Sequence, residues 1–235
     1  MTDQPENPRL RYPRRTFVRS MLRMLGRAVG ALAMRTQVIG RENLPPKGPL
    51  ILVGNHIAVV EVGLMATYTD YPLEIMAAGD IPLDPRYRWM ADLWGIIPIK
   101  RGSMDRDGMN KALDVLNQGG VVGLFPEGGI WETTLRQARQ GVAWLSNKAQ
   151  APVVPIGFGG IEGALAQIGR FRRPRLTMNI GKMIPPVQVD VPGKSRKELL
   201  QEGADYIMDR ITELIPEDER RIRSLPYIGE TFDFK

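Results

Sequence analysis

The 235 residues, 43% hydrophobic and 25% charged, have the composition of a globular protein, and one long enough to bury a core without covalent staples. The absence of cysteine excludes disulfide frameworks, thiolate metal sites and thiol nucleophiles, and a single histidine, His56, excludes multi-histidine metal centres, so no metal is expected. The formal charge of +6 sits wholly in residues 1–36, where eight arginines meet only Asp3 and Glu6, while residues 37–235 balance; with no broad basic face on the body, nucleic acid is not an expected partner.

Within that front segment Arg15, Arg19, Arg23 and Arg27 recur every four residues, and Phe17, Met21, Leu25, Ala28 and Leu32 follow the opposite side of a helix. The pattern predicts a basic amphipathic helix lying in a membrane interface, its apolar face among acyl chains and its guanidiniums among anionic phosphates. The alternative is a helix that packs its apolar stripe on its own domain. Arg14-Arg15 also looks like a twin-arginine export signal, but Arg23 and Arg27 interrupt the apolar run such a signal needs. The longest charge-free runs, such as the 13 residues 48–60, are too short to span a bilayer.

Further along, short apolar runs predict strands at 36–39, 50–54, 73–77, 95–99, 121–125, 153–157 and 176–180. Helical periodicity predicts helices at 59–68, 85–93, 106–118, 137–150 and 194–215. Alternation of this kind means an α/β layer fold. Residues 37–215 then form the body, preceded by the 1–36 interface segment and followed by a tail, 216–235, that starts charged and ends aromatic.

Four short blocks carry candidate chemistry. Asn55-His56 follows the apolar run 50–53 and Gly54, and Glu61 stands five residues beyond the histidine. A carboxylate on one ring nitrogen would fix the tautomer and leave the other nitrogen to take a proton, provided His56 stands at or before the start of the following helix, because positions five apart diverge by about 140° around a helix axis. The pair fits a structural histidine as well as a base. Ile97-Pro98-Ile99-Lys100-Arg101-Gly102 ends a strand in two cations, suited to an anionic group or to a solvated turn. Phe125-Pro126-Glu127-Gly128 leaves a carboxylate at a strand exit, and Val154-Pro155-Ile156 reads as buried strand.

In this order and spacing the four blocks resemble the glycerolipid acyltransferases, the 1-acylglycerol-3-phosphate (lysophosphatidate) acyltransferase family. The resemblance implies a single α/β domain with a mixed sheet flanked by helices, as in glycerol-3-phosphate acyltransferase. It implies transfer of a fatty acyl chain from acyl-CoA or acyl carrier protein, with no other cofactor, to a hydroxyl of a lysophospholipid-type acceptor in phospholipid biosynthesis. In the roles it carries over, His56 removes the hydroxyl proton, Glu61 orients it, Arg101 with Lys100 binds the acceptor's phosphate, and Asn55, Glu127 and Gly128 shape the substrate site. It further implies a peripheral place at the cytoplasmic face of the cell membrane, on anionic phospholipid.

Three departures stand out. Glu61 replaces the family's usual aspartate. Gly129-Ile130-Trp131 replaces a Thr-Arg-Ser block, leaving Arg136 or Arg139 to take the place of its arginine, and Ala77-Ala78-Gly79-Asp80-Ile81 lacks a lysine common there. Fewer cations and Trp131 point to a larger or less charged acceptor than lysophosphatidate. A catalytically silent lipid-binding relative and an acyl-thioester hydrolase remain as alternatives. Gly193-Lys194-Ser195 lacks the leading glycine of a phosphate loop, since residue 188 is Gln188. Residues 170–175, four arginines around Phe171, read as a solvated loop or as a second membrane or carrier-protein contact.

Overall fold

The computed structural model describes residues 9–79, 85–100, 105–127, 139–217 and 219. In chain order the elements are α1 (Thr16–Ala33), β1 (Arg35–Ile39), β2 (Leu50–Gly54), α2 (Val60–Tyr68), β3 (Glu74–Ala78), α3 (Pro85–Trp94), β4 (Ile97–Ile99), α4 (Arg106–Asn117), β5 (Val121–Leu124), α5 (Gly141–Ala149), β6 (Val153–Gly159), α6 (Ala164–Gly169), β7 (Arg175–Ile180) and α7 (Arg196–Leu214). The strands form one sheet in the order β1-β7-β6-β2-β5-β3-β4. β6, β2, β5, β3 and β4 run parallel, and β7 turns back antiparallel to β6 with β1 parallel beside it, so the sheet is mixed.

β2 is central and buried on both faces, which is why Leu50-Ile51-Leu52-Val53 is continuously apolar rather than alternating. Ile51 and Val53 pack into the layer made by α4, α5 and α7, with Met109, Val142, Leu145 and Ile207, while Leu50 and Leu52 face Leu64 and Met65 of α2 on the other side. Gly54 closes the strand because the Phe158 ring lies against it: a Cβ there would come within 2.6 Å of that ring. Two helix starts are fixed locally, α4 by Asp105, whose side chain accepts from the backbone of Asp107 and Gly108, and α7 by a Ser195–Glu198 capping box.

The seven predicted strands all form. α6 has no counterpart in the sequence reading, and α5 begins at Gly141, with residues 137 and 138 of the helix expected over 137–150 outside the described residues. β1 begins at Arg35, so the last two residues of the stretch read as the front segment, Arg35 and Thr36, belong to the sheet.

The larger difference concerns α1, which is helical as expected but sits with its arginines against the body. Arg19 is 1% exposed and pairs through both terminal nitrogens with Glu74 of β3 (2.7 and 2.8 Å), its Nε donating to the Trp94 carbonyl. Arg14 reaches the same carboxylate, Arg15 the carbonyls of Asp92 and Leu93, Arg23 the Tyr71 carbonyl, and Arg27 the Thr67 carbonyl and Asp70. Gly26 and Gly30 let the helix approach α2 closely, since a Cβ at either would crowd Thr67 or Tyr68 at 2.6 Å. Phe17 and Leu32, at 75% and 79% exposure, mark the outward face, with Met21, Met24, Leu25 and Val29 between them. The expectation that the stripe Arg15 to Arg27 reaches lipid phosphates is therefore corrected: these guanidiniums answer carbonyls and carboxylates left open at the ends of β3, α2 and α3. No described helix is long and apolar enough to cross a membrane.

Candidate active site

The C-terminal ends of parallel strands are where an open α/β sheet exposes backbone and presents ligand-binding side chains. β2 and β5 are neighbours in register there, Val53 beside Leu124. Each strand delivers one motif to that edge, His56 two residues beyond β2 and Glu127 three beyond β5.

Asn55 pins the exit of β2. Its side chain is buried and bonds twice to Phe158 of β6, with Oδ1 accepting from the backbone N–H (2.7 Å) and Nδ2 donating to the carbonyl (3.2 Å). From β5, Glu127 accepts the His56 backbone N–H at 3.0 Å through Oε1. The loop carrying the imidazole is thus held from both flanking strands.

α2 starts at Val60, so His56 precedes the helix and the five-residue spacing closes. The His56 Nδ1 stands 3.1 Å from Oε1 of fully buried Glu61. The same oxygen accepts the backbone N–H of Ala58 (2.7 Å) and of Ile57, while Oε2 is buried without a hydrogen-bond partner among the described residues. Lying in the first turn of α2, the carboxylate also meets the positive end of the helix dipole. Because an ionised carboxylate only accepts, it holds the ring proton on Nδ1 and leaves the Nε2 lone pair free. The histidine side chain is 14% exposed, and Nε2 has no partner among the described residues. Phe125 stacks on the ring, centroids 4.3 Å apart and planes 24° off parallel, covering one face.

Lys100 follows β4 at the same edge, three strands from β2, roughly 14 Å across at the usual interstrand spacing. It is exposed, and its backbone N–H donates to Asp105 at 2.8 Å. That donation is the main reason the Asp105 carboxyl is held below its ordinary value, with the N–H groups of Gly108 and Asp107 assisting. Arg101, Gly128, Trp131 and Arg136 lie outside the described residues; Arg139 is exposed, its backbone N–H on the Pro126 carbonyl. Among the described residues no cluster of acids and histidine suits a metal.

The structure thus brings Asn55, His56, Glu61 and Glu127 together and sets Lys100 apart on the same edge. Phe125 was quoted in its motif without a role. No local pattern assigns it this stacking, which follows from β5 lying beside the strand that delivers the histidine.

The acyltransferase family model matches residues 35–159. Relatives include N-acylphosphatidylethanolamine synthase of Arabidopsis thaliana, 26% identical over 229 residues that cover 89% of this chain and 77% of that protein. A 1-acyl-sn-glycerol-3-phosphate acyltransferase of Chlamydomonas reinhardtii is 30% identical over 161 residues, 65% of this chain and 47% of that protein. The lyso-ornithine lipid O-acyltransferase of Pseudomonas aeruginosa is 30% identical over 105 residues, 44% of this chain and 39% of its own. The chain thus spans less than half the length of these last two relatives. The crystal structure of the 1-acyl-sn-glycerophosphate acyltransferase PlsC from Thermotoga maritima shares the fold at a TM-score of 0.59, with 20% identity over 83% of this chain and 80% of that one. Since the family match runs from β1 to the end of β6 and takes in His56, Glu61 and Glu127, the chain belongs to the acyltransferase family, the glycerolipid acyltransferases that its four motifs resemble.

Proposed function

We propose that the protein transfers a fatty acyl group from acyl-CoA or acyl carrier protein to a hydroxyl of a lysophospholipid-type acceptor, by general-base catalysis in a ternary complex. The observation that carries this is His56 held through Nδ1 by buried Glu61, with Nε2 unpartnered at the C-terminal edge of the sheet. The acceptor hydroxyl gives its proton to Nε2 as its oxygen attacks the thioester carbonyl. The tetrahedral intermediate then collapses, the carbon–sulfur bond breaks, and the leaving thiolate takes the proton from the imidazolium. Glu61 stabilises the transient cation, and general-base help from His56 is worth roughly 10²–10⁴-fold. With no cysteine in the chain, direct attack is simpler than an acyl-enzyme route. Lys100, at the far end of the same edge, and Arg101, next to it in sequence, are cations suited to an anionic headgroup.

In the same reading the enzyme works peripherally at the cytoplasmic face of the membrane, with the outward side of α1, from Phe17 to Leu32, in the interface. The interaction rests on apolar contact, since the helix's arginines are engaged on the body.

The test is thiol release from acyl-CoA and from acyl carrier protein, with and without lysophosphatidate and larger lysolipids as acceptors. The expected result is acceptor-dependent release with formation of the acylated lipid. Release that ignores the acceptor would make the protein a hydrolase, and no release with any pair would make it a lipid-binding relative; either overturns the reading.

A further inference from the structure

With the α1 arginines engaged on the body, the free basic charge lies elsewhere. Arg35, Arg170, Arg172 and Arg175 are exposed, and among the described residues none of them pairs with a carboxylate. Arg35 and Arg175 are direct partners in the β1–β7 pairing, two like charges side by side at one edge of the sheet. Such an arrangement repels itself unless an anion lies over it.

Between these arginines stands Phe171, 99% exposed, with φ of 57°. It occupies the left-handed position that ends α6: its N–H donates to the Ile168 carbonyl and the Arg172 N–H to that of Gln167, each at 2.9 Å. That position favours glycine, so a phenylalanine there accepts both backbone strain and complete exposure of an aromatic ring. Arg173 joins this turn to the front helix, its guanidinium donating to the carbonyls of Ala31 (2.5 Å) and Met34 (3.0 Å). The turn is therefore tied to the end of α1 where Leu32 faces outward.

We infer that residues 170–175 are a second lipid contact of the protein: Phe171 enters the headgroup region of an anionic bilayer while Arg170, Arg172 and Arg175, with Arg35, pair with lipid phosphates. The inference rests on the membrane reading of α1 and reassigns its charge, giving apolar insertion to α1 and phosphate recognition to the turn after α6. An acidic carrier protein would satisfy the arginines, but a bilayer interface also removes the ring from water, and Arg173 places the turn at the end of a helix whose outer face is apolar.

The experiment measures binding to vesicles of phosphatidylcholine alone and of phosphatidylcholine mixed with phosphatidylglycerol. It compares the full chain with Phe171→Gly, with Arg170→Gln/Arg172→Gln, and with Leu25→Ser/Leu32→Ser on α1. The double arginine variant is expected to bind mixed vesicles about 10- to 30-fold more weakly, with a flatter salt dependence. Phe171→Gly should weaken binding to both vesicle types while melting no lower than the parent, because glycine suits the backbone there. Both loop variants should keep full transfer to a detergent-dispersed acceptor. If the parent binds and the loop variants bind equally well, the loop is not a lipid contact. If they bind normally but lose transfer from acyl carrier protein alone, the turn is a protein-docking site, and the lipid inference fails. If the parent binds neither vesicle, the membrane reading of α1 fails first.

Discussion

Glu61 and Glu74 are both glutamates with no solvent exposure, one behind the His56 turn and one beneath α1. Glu74 has both oxygens answered by guanidiniums, those of Arg14 and Arg19, which joins two elements 55 residues apart in sequence. Glu61 crowds two backbone donors and an imidazole onto one oxygen and leaves the other bare. Burial is equal in the two places; what separates them is the partners, two guanidiniums at Glu74 against an imidazole and two backbone N–H groups at Glu61.

The largest effect expected from this contrast is in activity. His56→Ala should lower kcat by roughly 10²–10⁴-fold with an unchanged melting temperature, and near-normal transfer by the folded variant would remove the base from the mechanism. Glu74→Ala should show the converse, a loss of about 3–5 kcal/mol in denaturant unfolding because Arg19 is left buried without its counter-charge. Glu61→Gln sharpens the comparison, because an amide in that place can donate to Nδ1 and favour the wrong tautomer. A fall in kcat of about 10²-fold is expected, with far less loss of stability than at Glu74; equal losses of stability at both sites would erase the distinction. The smallest effect belongs to Asp105, the half-buried cap of α4. Asp105→Ala should cost about 1 kcal/mol at neutral pH. Its carboxyl sits below the ordinary 3.8, chiefly through the Lys100 N–H. Its contribution is therefore complete above that value and drains away as pH falls through the lower native one, so parent and variant should converge in urea midpoints measured in strong acid.

Much of this arrangement was legible before the structure. The β2 run is unbroken because both of its faces are covered, and His56 works with Glu61 because the helix starts only at Val60, a constraint visible in the five-residue spacing. α6 was missed because its six residues, Ala164–Gly169, are too few to display a period. The roles of Phe125 and of the Phe158 backbone were not legible, since they depend on which strands flank β2. Lys100 was placed at a strand end correctly, but its separation from His56 follows from strand order, which local pattern does not encode.

Sequence alone determined the α/β class, the seven strands, the four motifs and the two-faced character of α1, because each is written in neighbours a few residues apart and in the periods 2 and 3.6. Tertiary structure decided which face of α1 meets the body. A helical period says that two faces exist; which one turns inward depends on what waits there, and here it is Glu74 and the open carbonyls of Trp94, Tyr71 and Thr67, groups that need donors more than the interior needs another apolar stripe.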